Sequence, residues 1–166
     1  MSKDNLSIEE GKKKLKQLVK EIKVAMMVTA IGKKPLSVIP MFSKKVQDDG
    51  TIWFLSKATS EHNENIETQD QVQLLYSDPS SMKFLSVYGT ADIIKDPETL
   101  KDLYNPKIDA WFSGPDDPDL TAIKFTSTDA HYWSPKSNKY ISLLKMATSA
   151  ATGQQQDIGE QGSIKL

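Results

Sequence analysis

The sequence predicts a mainly β protein, a closed or split barrel with short helices packed outside it. Three observations carry that expectation. Six or more runs have the length and the β-branched or aromatic content of strands. Asp49-Gly50 supplies a hairpin turn, in which both central positions are expected to take positive φ. The helical stretches between strands are short and marked by capping residues. At 166 residues the chain fits one domain with room for a substantial core, expected over residues 1–146, followed by a tail over 147–166.

The elements follow in order. Ser7-Ile-Glu-Glu10 is a capping box, and Ile8, Leu15, Leu18, Val19 and Ile22 recur at helical spacing, so residues 8–22 form an amphipathic helix. Its lysines, Lys12, Lys13, Lys14, Lys16 and Lys20, fill the solvated faces. The unbroken apolar run Val24-Ala-Met-Met-Val28 suits a strand buried on both sides. Gly32-Lys-Lys-Pro35 turns the chain into a strand over 36–42, with Pro40 marking an edge or bulge. The hairpin returns it as Thr51-Ile-Trp-Phe-Leu55, in which Trp53 and Phe54 read as core. Ser56, Lys57, Thr59 and Ser60 then lead into a helix ending near Ile66, with Ser60 as its cap.

Strands are expected over 71–76 and 83–94, the second bent at Gly89. Asp96-Pro97 and Asn105-Pro106 each start a short helix, a cap residue followed by proline at the first helical position. Strands resume over 120–127, 131–133 and 140–144. From Ala147 the chain turns to Ala, Thr, Ser, Gly and Gln, poor core material, which reads by default as a mobile tail, with docking on a second subunit through Ile158, Ile164 and Leu166 as the alternative.

Composition narrows the chemistry. A formal charge of −1 argues against a nucleic-acid footprint, and no apolar run is long enough to span a membrane. The start of the chain lacks a signal-peptide pattern and there is no cysteine, which together suit a cytoplasmic protein and exclude thiolate chemistry. All 21 residues in the Lys+Arg count are lysine, so no bidentate guanidinium can hold an anion. His62 and His131 with Asp116, Asp117 and Asp119 match no metal-ligand spacing, and no metal site is expected. G-x-S-x-G, G-x-G-x-x-G and Walker patterns are missing.

What remains is the stretch from Asp48 to Ile66, where a strand, a hydroxyl-rich turn and a helix N-terminus make a seat for a phosphate; the same pattern also describes an ordinary connecting loop. Trp111-Phe112, set among turn residues, reads as a cover for a planar ligand or a subunit contact, or as core.

Several blocks together resemble a known family, the pyridoxamine-phosphate-oxidase-like flavin split barrels, in the branch of bacterial general stress proteins. They are Ile39-Pro40-Met41, Asp49-Gly50 with Trp53-Phe54, Thr59-Ser60 with Ile66, Val72 with Tyr76, Ser86-Val87 with Gly89-Thr90-Ala91, Ala110-Trp111-Phe112, Asp116-Asp117-Pro118, and Asp129 through Trp133. The resemblance implies a six-stranded split β-barrel of Greek-key type, a homodimer, and FMN in each of two interfacial grooves; FAD or another planar ligand would occupy the same place. By position, Val38, Ile39, Pro40 and Met41 would flank the ring beside Leu55, with Ser56, Ser60 and His62 at the phosphate and Trp111 reaching across the interface. The implied function is a flavin-binding stress protein with weak oxidoreductase activity, and no catalytic acid or base can be named. The chain has Ile39 where the family usually has arginine and His62 where it usually has lysine, which leaves open a dimeric binding or scaffold barrel without flavin.

Overall fold

The computed structural model describes residues 2–3, 6–107, 109–136 and 159–166. In chain order the elements are β1 (Ser2–Lys3), α1 (Ile8–Ile22), β2 (Val24–Thr29), β3 (Ser37–Phe42), β4 (Lys45–Val46), β5 (Thr51–Lys57) and α2 (Glu61–Thr68), followed by β6 (Gln71–Asp78), β7 (Lys83–Ile94), α3 (Pro97–Leu103), β8 (Leu120–Pro135) and β9 (Gly159–Lys165). The strands form one sheet in the order β1-β9-β8-β7-β6-β2-β3, with β5 also on β8 and β4 on β5. All pairings are antiparallel except that of β1 with β9. The strand β8 explains the half-barrel shape. One edge pairs with β7 along nearly its whole length; the other is shared, with β5 on residues 120–126 and β9 on residues 129–135. The sheet thus curls toward a barrel in which β3 and β5 remain unpaired with each other.

Burial fills the concave side. Met27, Ile52, Phe54, Leu74, Ile123 and Phe125 are fully buried there, and α1 closes one end with Leu15, Leu18 and Val19. The helix starts as the sequence predicts: Ser7 Oγ accepts from Glu10 N–H while the Glu10 carboxylate accepts from Ser7 N–H at 3.0 Å. Gly11 lies on its buried side, where an added Cβ would stand 2.5 Å from Ile164 Cγ2 on β9. A smaller core outside the barrel packs Leu100 and Leu103 of α3 on Leu120 and Ala122, with Trp53, Leu55 and Phe112 at its margin. No helix among the described residues is long and apolar enough to cross a membrane.

Several expectations need correction. The strand β2 is open on one face over its first half: Val24 and Met26 are exposed and continue into exposed Val38, Phe42 and Leu75 on neighbouring strands, whereas Val28 further along the same face is buried. The hairpin turn uses positive φ at Gly50 alone, at 94°. Gln47 N–H bonds to Thr51 O and Gly50 N–H to Gln47 O, which makes a three-residue loop closed by glycine, and Asp49 instead caps Thr51 N–H with its carboxylate. At Asn105-Pro106 the described residues form single turns, not a helix; Asn105 and Asp109 side chains accept the backbone N–H groups of Lys107 and Asn105. Residues 120–127 and 131–133 belong to one strand with Thr128 as the extra residue of a bulge opposite Gly89. The strand expected over 140–144 and the Ile158 contact lie outside the described residues, and Ile164 and Leu166 pack on the core of their own chain.

Pro40 sits where β3 can tolerate it. Ser43 N–H donates to Lys23 O, so by alternation Pro40 opposite Met26 is a non-hydrogen-bonded pair, and the missing N–H falls on the outer edge of β3, away from β2.

Candidate functional site

The gap between β3 and β5 is a groove. Pro40, Met41 and Phe42 form one wall, Leu55, Ser56 and Lys57 the other; His62 lies at the α2 end, and Asp109, Trp111 and Phe112 form the rim. Its volume is about 480 Å³, inside the range of about 300–1,000 Å³ that small-molecule sites occupy. Of the residues expected at a cofactor, Pro40, Met41, Leu55, Ser56, His62 and Trp111 line this groove together. Val38 lies on the exposed outer face, Ile39 packs toward the core, and Ser60 stands behind His62. Trp111 is at the rim of its own chain's groove and is 81% exposed, a state that leaves most of a large apolar ring in water.

The apolar part suits a planar ring: Pro40, Met41, Phe42 and Leu55 offer flat or flexible surface, and Trp111 and Phe112 can cover it. The polar end is more constrained. Ser56 is buried and its Oγ is 2.8 Å from Thr121 Oγ1, which also receives the Asn63 amide at 2.9 Å, so this hydroxyl is engaged inside the wall. The carbonyl oxygen of Asn63 is buried without a partner among the described residues. Ser60 occupies the N-cap position of α2 without capping through its side chain; its Oγ donates to Lys57 O at 2.6 Å and lies 3.1 Å from His62 Nε2. Burial lowers the His62 pKa below the ordinary 6.5, favouring the neutral ring against an opposing pull from Glu61.

Two lysines reach the groove, and they do different things. Lys44 is tied to Asp109 at 2.6 Å with both side chains buried, and Asp109 also accepts Asn105 N–H at 2.7 Å. This pair fastens the segment bearing Trp111 and Phe112 to the β3–β4 connection. Lys57 is exposed, at the end of β5 beside α2, and is the groove lysine outside any direct ion pair among the described residues. Lys44, Phe42 and Asp109 were not singled out from the sequence. Phe42 directly continues Ile39-Pro40-Met41, and that continuity was the available signal; nothing local pairs Lys44 with a carboxylate so far along the chain.

The Asp116-to-Asp119 loop is organised internally. Asp117 accepts from Ser113 N–H and Asp119 N–H, which hold its carboxyl below the ordinary range, and Asp119 receives Thr59 N–H and Oγ–H at 3.2 Å.

Comparison with known proteins agrees with this geometry. The family described as pyridoxamine 5'-phosphate oxidase like matches residues 10–157. A structure from Jannaschia sp. CCS1, assigned as a general stress protein 26, superposes with a TM-score of 0.79 at 22% identity, covering 96% of this chain and 100% of that one. A general stress FMN/FAD binding protein from Xanthomonas citri superposes with a TM-score of 0.66 at 24% identity over 80% of this chain and 93% of that one. Protein bli-3 of Neurospora crassa is 24% identical over 79% of this chain and 68% of its own length.

Proposed function

Because this chain belongs to the pyridoxamine 5'-phosphate oxidase like family, we propose that it is a general-stress-type split barrel that pairs with a second copy of itself and holds FMN in the β3–β5 groove. The observation that carries the reading is the groove itself: an apolar slot for a ring, ending at the N-terminus of α2 with Lys57 beside it. The N–H groups of Asn63 and Glu64 are already bonded to Ser60 O, which leaves the first N–H groups of the helix for a phosphate. Pro40, Met41 and Leu55 orient the ring; Trp111 and Phe112 exclude water from it. The Lys44–Asp109 pair holds those two aromatics in place. When bound, the flavin supplies hydride or electron transfer, and the chain supplies position and electrostatics. The exposed patch of Val24, Met26, Val38, Phe42 and Leu75 runs up to the groove wall at Phe42, so pairing through it would complete the site.

An absorbance spectrum of the purified protein tests this. A flavin band at about 450 nm that survives dialysis is expected; a protein that stays colourless after incubation with excess FMN refutes the reading. A second reading, a dimeric scaffold that does not hold flavin, is favoured by one observation: among the lysines lining the groove, Lys44 is already committed to Asp109. On that reading His62→Lys creates FMN binding that the native chain lacks.

A further inference from the structure

We propose that anion binding in this groove is proton-linked through His62: seating a phosphate monoester against α2 draws a second proton onto the ring at Nδ1, so the grip tightens as pH falls. The inference rests on the flavin reading above and concerns how the same site is regulated.

The geometry fixes the resting tautomer. The Ser60 hydroxyl has one proton, and it is donated to Lys57 O at 2.6 Å. Its oxygen can therefore only accept from His62, and Nε2 at 3.1 Å must carry the hydrogen. A neutral ring protonated at Nε2 presents a bare lone pair at Nδ1, and Nδ1 has no hydrogen-bond partner among the described residues. A lone pair repels a phosphate oxygen, whereas an N–H there makes a charge-assisted bond. A dianionic phosphate seated at Nδ1 would therefore favour the gain of a second proton by the ring.

The groups around His62 leave this balance to the ligand. Burial disfavours the charged ring and Glu61, its neighbour on α2, favours it. Lys57, at the end of β5, lines the same groove. On the loop before β8, Asp117 is bonded to Ser113 and Asp119 to Thr59, and across the groove Asp109 is neutralised by Lys44. A bound phosphate is the one added charge that would tip the ring to the imidazolium.

FMN and riboflavin are titrated by flavin fluorescence into the full chain, His62→Lys and His62→Gln between pH 6 and 8.5. His62→Lys is charged throughout this range and His62→Gln never is, so ratios of Kd at each pH cancel titration of the FMN phosphate itself. For FMN, the native Kd relative to that of His62→Lys is expected to rise about tenfold from pH 6 to 8.5, the value of one charge-assisted bond. For riboflavin, which lacks the phosphate, the ratio stays flat. Calorimetry of the native protein at pH 7.5 in two buffers of different ionisation enthalpy should show net proton uptake with FMN and none with riboflavin. An FMN ratio that does not change with pH, or binding without proton uptake, overturns the linkage while leaving flavin binding intact. Absence of binding by either flavin in all three chains at every pH overturns the flavin reading, and the linkage with it.

Discussion

At Gly11 a missing side chain decides how the last strand docks. Alanine is better than glycine within a helix by about 1 kcal/mol, so Gly11 lowers the intrinsic stability of α1. The structure gives the reason: a Cβ would meet the branched Ile164, itself 1% exposed, at 2.5 Å. Gly11→Ala is expected to lose stability by about 1 kcal/mol net, since overpacking costs about 1–3 kcal/mol, and to lower the thermal midpoint. Nothing near Gly11 in the sequence points to Ile164, and that contact was not legible. His62 makes a second residue-scale prediction. Its folded pKa lies below the ordinary 6.5, so the unfolded chain takes up the proton first as pH falls. The stabilisation is present above about pH 6.5 and is lost as pH falls through the folded pKa. His62→Gln should flatten that part of a stability-against-pH curve measured by urea unfolding without flavin.

Among the elements, α1 and β5 were legible to within a residue or two and α3 at its start, because each carries its own signal: a capping box, a β-branched and aromatic run, an Asp-Pro start. The segment between α3 and β8 was not. Asn105-Pro106 has the pattern of a helix start, but Asp109 accepts from Asn105 N–H and from buried Lys44, and that distant demand holds the chain in turns. Asp109→Ala would leave Lys44 buried without a counter-charge, a loss of about 3–5 kcal/mol. Hydrogen exchange should show the effect concentrated in residues 104–112, with weakened flavin binding as a consequence. Gly89→Ala belongs to the same scale: its Cβ would stand 2.1 Å from Thr126 O, a backbone atom, so the β7–β8 bulge would have to shift. Reduced soluble yield and a lower thermal midpoint are the expected outcome.

For the molecule as a whole, the blocks of family-like sequence lay in the right order to announce the barrel, and it is there in β2, β3, β5, β6, β7 and β8. The place of the chain's end was hidden. Gly159–Lys165 has the composition of a linker, yet Gly162 and Ile164 alternate inward and the strand completes the edge of β8. The outer face was also misread, because the continuous apolar run in β2 carries no sign that one side is left open at Val24 and Met26. If that face joins two copies, Met26→Asp or Leu75→Asp, each placing a charge in an apolar contact, should yield a monomer by light scattering, with circular dichroism unchanged.

One further consequence follows from Pro40. Two neighbouring strands ordinarily zip together wherever donors and acceptors face each other, and a curled sheet with both margins intact would tend to seal itself into a cylinder. With no hydrogen to give at the midpoint of its free margin, β3 offers β5 a seam that cannot be stitched through. Pro40 thus removes the central one of the outward amide hydrogens with which β3 could close the slot.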